Sequence, residues 1–285
     1  MNSSNFDSIC FEGGGVKGIS YIGALKILNK YQSLDLIKNY AATSVGSIFA
    51  AILSCGATMN FIEKEFDELN LANFEDGGYW GLWRLWNNYG YCKGNYIYDW
   101  IGKIIEKLTG NPNITFANIY EKFDKNLNIT GTCINKKPNE RIFNRETTPN
   151  LPIRDAVRAS TSIFIVFEPF TIKNSEGFDE IYQDGGDLNN FPIEILGNDA
   201  NILGLYIGKE NEKNIEITNL KNYLCATLSM LLNTSNYKKP VDKKEVCFID
   251  VEGINSIDFN ISAEQKQYLK KCGEIAMEKY LENKK

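Results

Sequence analysis

The 285-residue chain contains no histidine. That absence removes every Ser-His-Asp and Cys-His catalytic arrangement, every imidazole metal ligand and the ordinary protonation switch near neutral pH. Any general base must then be a carboxylate, lysine, tyrosine or cysteine. The seven cysteines (10, 55, 92, 133, 225, 247 and 272) include no Cys-x-x-Cys pair, and they read as buried thiols of a reducing compartment. No apolar run approaches the roughly 18 residues of a membrane span. Residues 1–7 lack the positive charge and apolar stretch of a secretory signal. A cytoplasmic protein is expected, with any membrane contact confined to its periphery. The net charge of −5 argues against a broad nucleic-acid footprint and gives no general attraction to anionic lipid. Repeats, low-complexity tracts and proline-rich linkers are also missing, so residues 1–285 read as one domain.

What is present begins as alternating strand and helix. Ile9-Cys10-Phe11 reads as a short buried strand, followed by glycines and a helix from Ile19 to Leu28. Tyr40 to Thr43 reads as a second strand, followed by a helix from Val45 to Leu53 that stops at Gly56. Two such units in succession predict an α/β fold with a parallel sheet. Further helices are expected at 97–108, 116–123 and 153–160, and strands at 128–133, 141–143, 202–207 and 246–251. The tail reads as a helix capped by Ser262 with Gln265, its apolar face built from Leu269, Cys272, Ile275, Ala276 and Leu281.

Three clusters carry chemistry. Gly13-Gly14-Gly15-Val16-Lys17-Gly18 fits the dinucleotide pattern Gly-x-Gly-x-x-Gly, but no acidic residue ends the next strand. A phosphate-binding loop of the Walker type fails because Lys17 precedes Gly18. A tight strand-to-helix turn and an oxyanion hole of converging backbone N–H groups fit better, with dinucleotide binding a distant third. Ala42-Thr43-Ser44-Val45-Gly46 is close to the nucleophile elbow Gly-x-Ser-x-Gly, with alanine in the first position. Its other reading is a serine that caps the following helix. Asp184-Gly185-Gly186 is a turn signal that could also present a carboxylate beside Ser44. Without histidine, Asp184 would accept the serine proton directly. An ordinary aspartate, with a pKa of about 4, needs partial desolvation to do so.

Taken together, the three clusters resemble the patatin-like phospholipases, which combine a Gly-Gly-Gly-x-Lys/Arg-Gly loop, a Gly-x-Ser-x-Gly elbow and a distant Asp-Gly-Gly/Ala motif. Weaker echoes lie at Gly94 with Tyr98 and Ile101, at Thr115-Phe116, at Ala159-Ser160-Thr161-Ser162-Ile163 and at Asn190-Phe191-Pro192. The likeness spans about residues 8–205, whereas 206–285 match no motif. It implies a three-layer α/β/α fold with a central, mostly parallel sheet. It implies Ser44 as nucleophile, Asp184 as base, and Gly13, Gly14 and Gly15 as the oxyanion hole. It also implies hydrolysis of lipid esters of phospholipase A type, without calcium, metal or other cofactor. A non-catalytic lipid-binding or storage protein on the same fold is the alternative. Two departures stand out: Ala42 in the elbow, and Ile163-Phe164 where the family usually places proline.

The substrate surface is the last expectation. Residues 74–100 hold all four tryptophans, and Tyr79, Trp83 and Trp86 share one face at helical spacing. Aromatic stripes are more often core than surface, so packing against the sheet, or a dimer surface, is expected. The competing reading is an interfacial anchor that makes transient contact with a membrane.

Overall fold

The computed structural model describes residues 5–197, 201–208 and 245–284. Every residue of strand β1 (Ser8–Phe11) is buried, the pattern of a strand covered on both faces. It leads through a short 3-10 turn into helix α1 (Ser20–Tyr31). Strand β2 (Asn39–Ala42) and helix α2 (Val45–Ser54) follow, and Gly56 in the left-handed region ends that unit. Helices α3 (Met59–Glu68), α4 (Gly81–Asn88), α5 (Asn95–Thr109), α6 (Phe116–Phe123) and α7 (Ile153–Ser160) occupy the middle of the chain. Between them run the strands β3 (Gly90–Cys92), β4 (Asn126–Cys133) and β5 (Glu140–Phe143). Strands β6 (Ile165–Phe167), β7 (Phe170–Lys173), β8 (Asp179–Gln183), β9 (Ile202–Ile207) and β10 (Val246–Ile249) precede the final helix α8 (Ala263–Asn283).

The main sheet runs β10-β9-β1-β2-β4-β8-β7, with β5 also on β4. The run from β10 to β4 is parallel, and β5, β7 and β8 join antiparallel. This is the expected mostly parallel sheet flanked by helices. On one face Ile9, Phe11, Tyr40 and Ala42 pack within the large core that includes residues of α1, α2, α5 and α7. On the other, Cys10 and Ala41 lie beneath Phe191 and Ile193. The chain moves from β1 to β2 on one side and later returns to β9 on the other. The strand order therefore reverses between β1 and β9, and it is beyond the carboxyl ends of strands at such a reversal that open α/β sheets bind ligands.

The tail belongs to the same fold, since β9 and β10 extend the sheet beside β1. Helix α8 carries the expected capping box of Ser262 and Gln265. Its buried seam is Leu269, Gly273, Met277 and Leu281, whereas Ile275 is exposed. Of the expected face, Leu269 and Leu281 are buried and Cys272 and Ala276 pack against the core; Ile275 alone turns outward, and Gly273 and Met277 complete the seam. A β-carbon on Gly273 would overlap the Ser20 carbonyl, and one on Gly23 would overlap that of Lys270. The two glycines let α1 and α8 touch backbone to backbone, which an apolar-residue pattern does not register.

The aromatic segment is also corrected. Trp100 packs against Phe66 and Phe74, but Tyr79, Trp80, Leu82, Trp83 and Trp86 are exposed. The inward face of α4 is taken by Gly81, against the ring of Tyr91, and by Arg84. The Arg84 guanidinium donates to the carbonyl oxygens of Gly77 (2.6 Å) and Tyr91 (3.4 Å) and lies 3.5 Å from Glu168. With its one charge tucked under the helix, α4 turns its large apolar side chains to solvent. Cys225 lies outside the described residues; Cys10, Cys55, Cys92, Cys133 and Cys247 are buried free thiols, and Cys272 is half-buried.

Candidate active site

The register Phe11↔Ala42 brings the segments after β1 and β2 out of the sheet side by side. Ser44 sits at the sharp turn between β2 and α2, with φ 52° and ψ −129°. Few non-glycine residues adopt a positive φ, and a nucleophile elbow stores strain of this kind. Several contacts hold it there. The Ser44 N–H donates to Ser160 Oγ (2.9 Å). The Thr43 hydroxyl lies 2.6 Å from that of Thr130 and donates to the Asn189 carbonyl (2.8 Å). Gly46 is required by close approach, because a β-carbon there would lie 2.7 Å from both Phe11 Cβ and the Phe11 carbonyl oxygen. Ala42 meets no such demand. It is the last residue of an extended strand, fully buried opposite Phe11 and Ile129, so the elbow needs a small residue there but not a positive φ.

The serine side chain does not cap α2. Its Oγ donates to Asp184 Oδ2 at 2.6 Å across 140 residues of sequence. Asp184 follows β8 and starts the Gly185–Asp187 turn, where its Oδ1 accepts the Gly186 N–H (2.8 Å). Its own N–H donates to the Ser162 carbonyl (3.0 Å). Gly185 has no room for a β-carbon beside the Thr130 carbonyl (2.5 Å). Both side chains are nearly sealed, with 5% of Ser44 and 1% of Asp184 exposed. Burial pushes the Asp184 carboxyl up to about 7, helped by the nearby Asp187, while hydrogen bonds from Ser44 and Gly186 pull the other way. Burial likewise raises Asp187 to about 6.

The glycine loop lies against this pair. A β-carbon on Gly13 would sit 3.1 Å from Ser44 Cβ and would overlap the Asn190 side chain. The Gly13 N–H donates to the Asn190 carbonyl (3.0 Å), and the Val16 N–H to the Ser256 carbonyl (2.9 Å). Among the described residues, no acceptor takes the N–H of Gly14 or Gly15. Glu12, buried before the loop, accepts from the Ile207 N–H (2.6 Å) and Asn190 Nδ2 (3.2 Å), tying loop, β9 and the Asn190 segment together.

A narrow apolar cavity opens beside Ser44. It is lined by Val45 and Ile48 of α2, by Leu71, Phe74, Ile97 and Trp100, and by Ile163, Phe167 and Phe259. Its lining is almost free of polar groups, so it suits a hydrocarbon chain better than a nucleotide. Among the described residues no cluster of acidic or cysteine side chains could hold a metal ion, and no helix is long and apolar enough to cross a membrane.

The structure brings Ser44, Asp184 and the glycine loop to one point. Ser160, Ser162 and Asn190 were present in the sequence as echoes, without the roles they take here. Ser256 and Phe259 had no local signal at all, because they reach the site only through the fold of the tail.

A strained serine elbow, a buried carboxylate partner and an apolar cavity at the sheet's carboxyl edge define a hydrolase-type site on an α/β scaffold. Residues 9–196 match the profile of the patatin-like phospholipase family, and the chain belongs to that family of lipid-hydrolysing proteins. It is 30% identical to the uncharacterized protein R571 of Acanthamoeba polyphaga mimivirus, over 96% of this chain and 93% of that one. It is 32% identical to a protein of Invertebrate iridescent virus 6 described as "Probable lipid hydrolase 463L", over 67% of this chain and 63% of that one. VipD of Legionella pneumophila shares the fold, with a TM-score of 0.68 at 18% identity over 98% of this chain and 67% of that one.

Proposed function

We propose that the protein hydrolyses fatty-acyl esters of glycerolipids, in the manner of a phospholipase A, through an acyl-enzyme on Ser44. The observation that carries this reading is the 2.6 Å Ser44 Oγ–Asp184 Oδ2 hydrogen bond beside an apolar cavity that Ser44 itself lines. As Ser44 Oγ attacks the ester carbonyl, its proton passes to Asp184. The negative charge moves to the former carbonyl oxygen. The N–H groups of Gly14 and Gly15 and the amino end of α2 stabilise it there. The Gly13 N–H is held by Asn190, so Gly13 serves this hole by allowing close approach. Collapse breaks the ester C–O bond, and Asp184 returns the proton to the leaving alcohol. Water then attacks the acyl-enzyme, giving up its proton to Asp184; collapse releases the fatty acid and returns that proton to Ser44.

The raised Asp184 sets a pH limit. Only the ionised carboxylate can take the serine proton, so kcat/KM on a soluble ester falls as pH drops through about 7. Asp187→Asn removes the neighbouring charge that helps hold Asp184 up. It moves that limb to lower pH without abolishing turnover. A limb unmoved by Asp187→Asn would rule out this charge coupling.

The direct test is release of fatty acid from phosphatidylcholine and from a fluorogenic long-chain ester by purified protein. A fluorophosphonate probe should label Ser44. Lipid binding without label or turnover would support the non-catalytic alternative instead.

A further inference from the structure

We propose that α4 and the turn before it dock the protein on an electrically neutral, zwitterionic lipid surface and bring the cavity mouth to that surface. This rests on the lipid-hydrolase reading above and adds the element and the lipid chemistry.

Residues 77–92 form an excursion pinned at its base. The Asp76 carboxylate accepts the N–H groups of Gly94, Asn95 and Tyr96. Both ends of the excursion run into the wall of the cavity. Phe74 lines it just before, and Ile97 and Trp100 line it just after. Within the excursion β3 pairs with β6, whose Phe167 lines the same cavity. What projects is therefore joined to the Ser44 pocket on three sides.

The projecting face is apolar and uncharged. Tyr79 and Trp86 are essentially free in solvent, at 106% and 86% exposure, and Trp80, Leu82, Trp83 and Tyr89 are also exposed. From Gly77 to Cys92 the only charged side chain is Arg84, and it is buried beside Glu168. A helix that hides its one cation and shows its tryptophans reverses the ordinary arrangement of a water-facing helix. Tryptophan and tyrosine favour the boundary between headgroups and acyl chains. The chain's net charge of −5 offers no electrostatic pull toward anionic lipid, so apolar insertion is the driving force. A second copy of the chain fits less well. A stable protein interface uses about 20–30 residues a side, whereas here six side chains project from one short helix and its turn. A convex knob of that size needs a fluid phase rather than a matching pocket.

The test uses Ser44→Ala protein, which leaves vesicles undigested, with pure phosphatidylcholine vesicles. Co-sedimentation and a blue shift of tryptophan emission are expected. Adding Trp80→Ser, Trp83→Ser and Trp86→Ser should weaken partitioning by at least about tenfold. With Ser44 intact, the triple variant should lose a similar factor on vesicle substrate. It should keep turnover of a monomeric short-chain ester within about twofold, because exposed side chains contribute little to the fold. Undiminished vesicle binding by the triple variant overturns the proposal, as does binding that requires anionic lipid. A dimer on gel filtration that the triple variant dissociates, without vesicle binding, assigns the face to a second copy. If no ester is cleaved yet vesicle binding still depends on the three tryptophans, the hydrolase reading fails and the docking surface stands.

Discussion

Ser44→Ala is expected to abolish ester hydrolysis, and Asp184→Asn to reduce it by at least about a thousandfold, the scale of losing a nucleophile or its general base. The reason is that, among the described residues, no other base is hydrogen-bonded to Ser44 Oγ. Ser44 Oγ has one carboxylate at 2.6 Å, and the chain has no histidine to take over proton transfer. The two variants part company in stability. Below about pH 4 the Asp184 carboxyl is protonated in both folded and unfolded chains. As pH rises toward about 7, the unfolded chain ionises freely while the buried carboxyl resists, so folding is progressively disfavoured. Asp184→Asn removes that cost. It should therefore stabilise the protein by roughly 2–4 kcal/mol at pH 8, and the gain should vanish near pH 3. Thermal melts at the two pH values, set beside fatty-acid release, check both halves. A gain of Asp184→Asn over the wild type that is no larger at pH 8 than at pH 3 would contradict the raised carboxyl. A folded Ser44→Ala protein with native turnover would remove the dyad.

Gly15→Ala is the second large effect. Gly15 has φ +56°, and a β-carbon there would overlap the Ser256 carbonyl, which also accepts the Val16 N–H. The left-handed backbone alone costs an alanine about 1–2 kcal/mol, and the overlapped atom is backbone that cannot rotate away. The loop must shift, and in the proposed mechanism this carries the Gly14 and Gly15 N–H groups off the position where charge would develop. A loss of about 100- to 1,000-fold in kcat is expected, with KM on a short-chain ester little changed. The informative control is Ala42→Gly, which restores the family's usual elbow residue. Because Ala42 is an extended strand residue, the glycine should bring no gain in rate and should cost about 0.5–1 kcal/mol in stability. A large rate increase would show that Ala42 constrains the elbow after all.

The parts legible from the sequence were those with local causes. The β1-to-α2 run was readable because short apolar strands, glycines and helix patterns alternate within 50 residues. The Ser262–Gln265 box and the 97–108, 116–123 and 153–160 helices were readable from caps and periodicity. The apolar face of α8 was legible except at Ile275, which is exposed, and at Gly273, whose backbone contact carries no hydropathy signal. The aromatic segment was misassigned because composition cannot say which side of a helix faces the core. That side was decided by Arg84, which finds its carbonyl acceptors and Glu168 only in the folded chain.

By itself the sequence determined the reactive groups and their local geometry: a serine at a tight turn between small residues, an aspartate on a glycine turn, a glycine loop, and no histidine. Turn conformation and acid-base type are properties of a few consecutive residues. Only the tertiary structure decided the rest. It set Ser44 against a carboxylate 140 positions away, engaged the Gly13 N–H with Asn190 while leaving those of Gly14 and Gly15 without an acceptor among the described residues, and used Ser256 and Phe259 from the tail. It also raised Asp184 to about 7. Burial and long-range pairing set these properties, and neither is encoded in any single stretch of chain.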